Sequence, residues 1–468
     1  MRPREVSAPK LRGINISDTQ VLRARGADFA LVWIVAIAVP LLLTAPALWN
    51  GYPLLQYDTG GYLARWYEGY LVPSRSTAYG IYLHLGEASH FRVNLGVQAL
   101  SVMWIVQATL RVFGIMRSLR IAAVVLALCA TTALPVLTSL LLTDIFAGLS
   151  VLTLFLLVFH GGRFSRLETL FLFLFTSFAA STHSATLGVM FGLCCAGWIL
   201  RPLLPERFSV RGLTRGSLTI VVGAGMLLAS NFGLSGQLAW TPGGSGVAFG
   251  RMLQDGLVKR YLDDHCSIEN LKLCPYRSEL PRTGDDFLWG KSMFNDLGRF
   301  NGLGDEMAYI AWHSLTAYPG AQSEAAIAAT AKQLVSVATG EGSNNYLAHT
   351  YGIIERYLPQ EIAAVKEAHQ QRWEFDFTAM NLIHVPVALL SEFLLVGILL
   401  GAALRRKLDD IALLAGTVAL ALLGNAFLCG VLSGPHDRYG ARMVWIATLT
   451  VLIAAVRRFA GREPPAPS

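Results

Sequence analysis

Four short segments of this sequence place ionisable side chains between long apolar stretches. Asp58 lies in YDTGGY, Asp144 ends LLLTD, and His183 lies in STHS. The fourth segment is PHDRY with the residues after it, and its candidates are His436, Arg438, Tyr439 and Arg442. Carboxylates can accept protons or bind cations, and arginines can hold phosphates. These residue types therefore indicate a site that handles an anion and moves a proton.

The first three residues also have ordinary structural interpretations. Asp58 is either a general base or metal ligand, or a residue that closes a turn or caps a helix. Asp144 either caps the helix that follows it or belongs to the same site. His183 is either a hydrogen-bonded residue of a helix junction or a site residue. The local sequence leaves both interpretations open for all three.

The last segment is the densest in charge. Arg438 and Arg442 are four residues apart, which places them on one face of a helix that begins here. Two guanidiniums on one face can bind a phosphate or pyrophosphate in bidentate fashion. The alternative is an ion pair between Asp437 and an arginine that fastens two helices. Because His436 and Tyr439 stand beside the arginines, we favour the anion site.

Membrane helices must position these residues. Of the 468 residues 53% are hydrophobic and 15% charged, whereas soluble domains carry about 25% charged residues. This composition excludes an ordinary cytosolic enzyme and a disordered protein, and six cysteines in so long a chain exclude a disulfide-built scaffold. A helix needs roughly 20 apolar residues to cross a bilayer. The sequence therefore predicts an all-α polytopic membrane protein whose about ten transmembrane helices cover 29–49, 93–112, 121–142, 144–160, 167–182, 184–200, 216–234, 381–404, 410–431 and 441–456.

Lysines and arginines predict the orientation of these helices. They concentrate in the segments on the same side as the N-terminus, and few lie in the short loops on the other side. This distribution accounts for the net charge of +7 without a nucleic-acid partner. With the Arg- and Ala-rich composition, it predicts a multi-pass protein of a bacterial inner membrane. Both termini are predicted to be cytoplasmic, and the candidate site lies on the periplasmic face.

The predicted helices divide the chain into five parts. These are a basic cytoplasmic segment (1–28), helices one to seven with outer loop one (29–234, with the loop at 50–92), an extracytoplasmic soluble domain (235–380), helices eight to ten (381–456) and a cytoplasmic tail (457–468). The soluble domain is predicted to be mostly helical and contains Cys266 and Cys274. We predict that these two cysteines form a disulfide, and the alternative is two free buried thiols.

In these features the sequence resembles the GT-C superfamily of integral-membrane glycosyltransferases. Asp58 matches in position the acid that this family carries in its first outer loop. LLLTD, which ends at Asp144, resembles an acid-bearing outer turn of bacterial members, and HDRY, which begins at His436, resembles their late Arg-Tyr element. The chain departs from the family in having one acid in loop one instead of a pair. It also carries its soluble portion between helices seven and eight instead of at the C-terminus.

The resemblance implies a glycosyltransferase that takes its sugar from a polyprenyl-phosphate donor and passes it to an extracytoplasmic glycan or lipid acceptor. Arg438 and Arg442 would hold the donor phosphate, and Asp58 would accept the proton of the acceptor hydroxyl. Asp144 or His183 would orient the acceptor or assist a divalent cation, for which Asp58 would be the ligand.

Outer loop one is also rich in aromatic residues. Trp66 and Tyr67 would stack on sugar rings if the chain binds a glycan. The alternative for both is an aromatic belt at the membrane surface.

Three alternatives to this function remain open. A transporter or flippase of a lipid-linked substrate would use acids inside its helices, and Glu392 lies in the middle of predicted helix eight. Another extracytoplasmic transferase, such as an O-antigen ligase or polymerase, would share the outer site but depend mainly on its Arg and His residues. A membrane scaffold would tolerate substitution of every candidate residue.

Overall fold

A computed structural model describes residues 33–460 of the chain, except residues 70, 72, 346 and 373. The predicted segment 1–28 and residues 461–468 of the predicted tail lie outside this range. The described residues form helices and no β-strand, and an isolated bridge joins Leu54 to Leu140. The predicted all-α class is therefore confirmed.

The helices fall into three groups along the chain. The first group is α1 (Trp33–Leu43), α2 (Ala45–Asn50), α3 (Thr59–Glu68), α4 (Thr77–His84), α5 (Arg92–Val112), α6 (Ser118–Thr131), α7 (Leu134–Ser139), α8 (Asp144–His160), α9 (Arg166–Thr182), α10 (Ser184–Leu200) and α11 (Val210–Ser235). The second is α12 (Gly244–Gln254), α13 (Leu257–His265), α14 (Gly284–Leu288), α15 (Met293–Asp296), α16 (Arg299–Ala317), α17 (Pro319–Val335), α18 (Ala348–Tyr357) and α19 (Ile362–Glu367). The third is α20 (Phe377–Leu404), α21 (Asp410–Leu432) and α22 (Asp437–Ala460).

Six helices within the described residues are long and apolar enough to cross a membrane, namely α5, α8, α11, α20, α21 and α22. Shorter apolar helices include α1, α6 and α10. The described residues therefore form a helical protein with several candidate membrane-spanning helices. Each of the ten predicted runs contains a helix, and the total of ten spans stays a prediction.

The third predicted run, 121–142, is not one helix. α6 ends at Thr131, Thr132 is extended, and α7 begins at Leu134. Pro135 lies in the first turn of α7, where its missing N–H and fixed φ favour the start of a new helix. The break lets the chain turn back so that Leu140 reaches Leu54 before α8 begins.

The predicted soluble domain, 235–380, has two parts that pack differently. Residues from Phe249 to Tyr318 build their own hydrophobic core. Residues from Val337 to Phe377 instead join the core that the membrane helices build. The second part therefore forms a lid on the end of the helix bundle. Cys266 and Cys274 lie in the first part, where a disulfide joins them.

α17 connects the two parts and lies along α21. A Cβ on Gly430 would come within 2.9 Å of the Ala329 carbonyl oxygen, so only glycine permits this close approach. The Gln333 side chain, near the end of α17, donates to the His436 carbonyl at 2.8 Å and accepts from the His436 N–H at 2.9 Å. This pair of hydrogen bonds fixes the segment that leads into α22.

Candidate functional site

Three of the four predicted segments meet at one end of the helix bundle. Asp58 precedes α3, Asp144 is the first residue of α8, and Arg438 is the second residue of α22. Nη1 of Arg438 donates to Oδ2 of Asp58 at 2.5 Å, and its Nε donates to Oδ2 of Asp144 at 2.9 Å. Arg438 therefore bridges two acids that lie 380 and 294 residues away in sequence.

Contacts of the backbone hold Asp58 and Asp144 next to each other. The Leu54 N–H donates to the Ser139 carbonyl at 2.9 Å, and the Leu141 N–H donates to the Leu54 carbonyl at 3.0 Å. The Thr59 hydroxyl donates to the Leu141 carbonyl at 3.0 Å. These bonds attach the start of α3 to the turn before α8, so Asp58 lies next to Asp144.

Two more arginines complete the arrangement. Nη2 of Arg75 donates to Oδ1 of Asp58, and Nη1 of Arg442 lies 3.6 Å from Oδ1 of Asp144. We call Asp58, Arg75, Asp144, Arg438 and Arg442 the charge cluster. It holds three guanidiniums and two carboxylates, so its contacts leave one positive charge uncompensated.

The two predicted phosphate ligands are not equivalent. The Arg442 side chain is 1% exposed, and its Nη2 donates to Asn425 Oδ1 at 2.8 Å. It therefore supports the cluster from inside the helix bundle. Arg75, with an 18% exposed side chain, is the second guanidinium at the open side. Asp437 accepts a hydrogen bond from the Ala338 N–H at 3.1 Å.

Sequence reasoning missed Arg75. It lies in outer loop one. Lysines and arginines are rare in the outer loops of membrane proteins, so an arginine there is unusual. That signal was therefore present in the sequence. Arg65 donates through Nε to the Arg75 carbonyl at 2.9 Å and holds the backbone of this residue.

A histidine and two acids border the charge cluster. Nδ1 of His436 lies 2.7 Å from Oε1 of Glu341, and Oε2 of Glu341 accepts the Arg438 N–H at 2.9 Å. On the other side of the ring, Nε2 of His436 lies 3.7 Å from Oδ2 of Asp285 on α14. Glu341 and Asp285 come from the predicted soluble domain, where no motif distinguished them from the other acids.

The surroundings shift the pKa values of these groups in different directions. Burial raises the pKa of Asp58, but Arg75 and Arg438 outweigh burial and hold this pKa below its ordinary value. Burial lowers the pKa of His436, but the hydrogen bond and charge of Glu341 outweigh burial and raise it. Partial removal from water and the charge of Glu341 raise the pKa of Asp285, whose side chain is still 61% exposed. Asp58 is thus the weakest proton acceptor of the three relative to its residue type.

His183 and Tyr439 lie next to the charge cluster. His183 accepts the Ala185 N–H through Nδ1 at 3.2 Å, which caps α10, and it lines a small cleft together with Arg75 and Trp240. The Tyr439 ring lies 5.5 Å from the Arg438 guanidinium carbon. A hydrogen-bonded position at the helix junction and a position beside the site, the two interpretations of His183, therefore coexist.

Trp66 and Tyr67 make their aromatic contacts elsewhere. Trp66 stacks on His84 with ring centroids 4.0 Å apart, and Tyr67 stacks on Tyr357 at 4.8 Å. The Tyr67 hydroxyl also donates to Glu87 at 2.5 Å. These contacts attach α3 to its neighbours and do not bring either ring to the charge cluster.

The donor set around Asp58 does not fit a divalent cation. Both oxygens of Asp58 accept guanidinium hydrogen bonds, and cations repel the Mg²⁺ or Mn²⁺ that a carboxylate pair would bind. The described residues contain no group of three His, Cys, Asp or Glu side chains with metal-binding geometry. The arrangement is instead suited to an anion that competes for the guanidiniums.

Buried polar atoms at the inner edge of the cluster lack hydrogen-bond partners among the described residues. They include Oδ1 of Asp144, Nη1 of Arg442 and the hydroxyl of Thr143. Oδ1 of Asp144 and Nη1 of Arg442 keep their ion contact at 3.6 Å, but buried polar atoms without hydrogen bonds are costly, so this edge is sensitive to a change of charge.

Comparison with protein-family models, curated proteins and solved structures finds no match to this chain.

Proposed function

We propose that this chain is a membrane glycosyltransferase. It takes a sugar from a polyprenyl-phosphate donor and passes it to an extracytoplasmic glycan or lipid acceptor. The observation that carries the proposal is the pair of guanidiniums, Arg75 and Arg438, on the two oxygens of Asp58 at the end of the helix bundle. A lipid-linked phosphate reaches this depth from the bilayer, and guanidiniums bind phosphate oxygens in bidentate fashion.

The chemistry of the leaving group fits the excess of positive charge. When the bond between the anomeric carbon and the phosphate oxygen breaks, its electron pair remains on the phosphate. Arg75 and Arg438 are held in place before the reaction and stabilise that developing charge. Arg442 adds a further positive charge from the buried side of the charge cluster, where its side chain is 1% exposed.

Asp58 holds the arginines in this proposal. Its two oxygens already accept hydrogen bonds from Arg75 and Arg438, and its pKa is lowered. An incoming phosphate can join the guanidiniums or replace Asp58 on them. The acceptor hydroxyl then has to give its proton to another group.

We place this site on the periplasmic face of a bacterial inner membrane, with both termini in the cytoplasm. The opposite ends of the helices support this orientation, because Arg163 and Arg207 lie 3.9 Å from Asp410 there. Basic residues at helix ends are typical of the cytoplasmic side.

Sugar transfer by purified protein in nanodiscs tests the function. The donor is a mixture of short-chain polyprenyl-phosphate sugars, and the readout is release of the lipid phosphate. Arg438→Ala is expected to reduce transfer about 100-fold or more, the loss typical when one charge-stabilising donor is removed. Arg356→Ala, an exposed arginine that lies over the Tyr357 ring, is the matched control and should retain activity.

The outcomes separate the alternatives. No transfer by the wild type from any donor contradicts the proposal. Donor binding that requires Arg438, without transfer, favours a flippase.

A further inference from the structure

Glycosyl transfer to a hydroxyl requires a proton acceptor near the phosphate. The acceptor must have a free lone pair and must be reachable from solvent or substrate. Each oxygen of Asp58 accepts a guanidinium hydrogen bond, and the two guanidiniums hold the pKa of this carboxyl below its ordinary value, so Asp58 is a weak base. The Asp144 side chain is 0% exposed and out of reach of a substrate, so neither acid of the charge cluster meets the requirement.

His436 meets it. Its Nδ1 lies 2.7 Å from Oε1 of Glu341, and a carboxylate can only accept, so Nδ1 carries the hydrogen. Nε2 of the neutral ring therefore keeps its lone pair. The side chain is 23% exposed, and Nε2 faces Oδ2 of the exposed Asp285 on α14 at 3.7 Å.

Glu341 couples the histidine to the phosphate-binding arginine. One of its oxygens contacts His436, and the other accepts the backbone N–H of Arg438 at 2.9 Å. The ring is thus held at a fixed position relative to Arg438. Gln333 also fixes the His436 backbone on both its N–H and its carbonyl.

We propose that His436, oriented by Glu341, accepts the proton of the acceptor hydroxyl. This inference rests on the proposed glycosyltransferase function. In the step, the acceptor oxygen forms a bond to the anomeric carbon while its O–H bond breaks and the proton goes to Nε2. The bond from the anomeric carbon to the phosphate oxygen breaks, and its electron pair leaves with the lipid phosphate held by Arg75 and Arg438. Glu341 is a positioning residue.

The charges that face His436 set the expected pH dependence. Glu341 contacts Nδ1, Asp285 on α14 lies 3.7 Å from Nε2, and Arg438 follows on α22. Arg251 on α12 also lies near this turn. The position that a Cβ on Gly434 would occupy is 3.7 Å from Cδ of Arg251 and 3.9 Å from Nε2 of His436. Burial and Arg438 lower the pKa of His436, and the two acids raise it. The net pKa is raised, so the neutral, proton-accepting ring forms as pH increases.

The pH profile of transfer by the full chain in nanodiscs tests this role. Wild-type kcat should rise with pH through the pKa of His436. Glu341→Gln removes the charge that raises this pKa. It should therefore move the acid limb, the rising part of the pH profile, down by about one pH unit. His436→Gln should abolish the limb and lower kcat about 100-fold, the lower range for loss of a general base.

Donor binding separates this role from a purely structural one. Displacement of labelled donor by lipid phosphate should give a dissociation constant within about twofold of wild type for Glu341→Gln, because the phosphate contacts are unchanged. If Glu341→Gln does not fold, Asp285→Asn replaces it, since that side chain is 61% exposed and its removal should shift the limb in the same direction. Asp286→Asn, one residue further along α14 and exposed, is the matched control and should leave the profile unchanged.

Transfer with an acid limb that neither Glu341→Gln nor Asp285→Asn moves would refute the role of His436 and leave the glycosyltransferase proposal intact. Absence of transfer by the wild type would overturn both.

Discussion

Replacing Asp144 by asparagine tests whether the charge cluster is a buried ion network. The substitution keeps the size of the side chain and removes one negative charge. Oδ2 of Asp144 accepts from Nε of Arg438 at 2.9 Å, and Oδ1 lies 3.6 Å from Nη1 of Arg442. The variant would leave three guanidiniums with one carboxylate, Asp58.

The contacts set the size of the effect. The side chains of Asp144, Arg438 and Arg442 are 0%, 5% and 1% exposed, so water does not screen the charge that remains. Removing one partner of a buried ion pair costs about 3–5 kcal/mol. The asparagine oxygen can still accept from Nε of Arg438, so we expect the lower end, about 3 kcal/mol, which is more than a 100-fold change in the unfolding equilibrium.

The measurement is reversible unfolding in mixed detergent micelles, followed by tryptophan fluorescence. Asp410→Asn is the matched control, because its carboxylate is 3.9 Å from Arg163 and Arg207 and its side chain is 32% exposed. Exposed pairs of this kind contribute about 0–1 kcal/mol. A loss for Asp144→Asn no larger than that of Asp410→Asn would refute the idea of a desolvated network.

The other predictions concern the folded chain in pH, packing and redox experiments. Because the folded pKa of Asp58 lies below its ordinary value of 3.8, its stabilisation is complete above that pH and is lost as pH falls through the folded pKa. The difference in melting temperature between wild type and Asp58→Asn should therefore narrow below about pH 4, and a constant difference would contradict this sign. Gly148→Ala would place a Cβ 2.6 Å from Nε1 of the buried Trp445 and should destabilise the chain by about 1–3 kcal/mol in the same unfolding assay. Exchange of both Cys266 and Cys274 for serine removes a disulfide worth about 2–4 kcal/mol and should speed limited proteolysis around them, whereas an unchanged cleavage rate would argue against a stabilising role.

The meeting of Asp58, Asp144 and Arg438 could be anticipated from the sequence. Asp58 lies in the loop after the first apolar run, Asp144 and Arg438 lie at turns between runs, and antiparallel helices bring alternate connections to the same face of the bundle. The hydrophobic pattern therefore determined which end of each helix carries the site, without any knowledge of the packing angles. It did not determine which of two arginines on one helix face would point to the open side. Arg442 lies one turn deeper than Arg438 and is enclosed by Asn425.

Contacts from the long segment between α11 and α20 could not be anticipated. Glu341 and Asp285 lie among many acids, and no periodic pattern orders that segment against the membrane helices. Their positions depend on how α17 packs on α21 and on the turn that follows, which are tertiary contacts. Sequence patterns indicate which residues of one helix are buried, but they do not indicate which loop packs on which helix.

The two acids of the charge cluster have different functions because Arg438 uses different atoms for each. Its Nε is bound to Asp144, which is fully buried and cannot move without unpacking α8. Its Nη1 is bound to Asp58, which lies in outer loop one and whose side chain is 10% exposed. A phosphate that displaces Asp58 from Nη1 leaves the Nε contact intact, so the arginine changes its partner without losing its position. Variants of either acid should therefore lose stability, but only Asp58 variants should also lose the placement of Arg75. This difference separates a binding site from a static ion network.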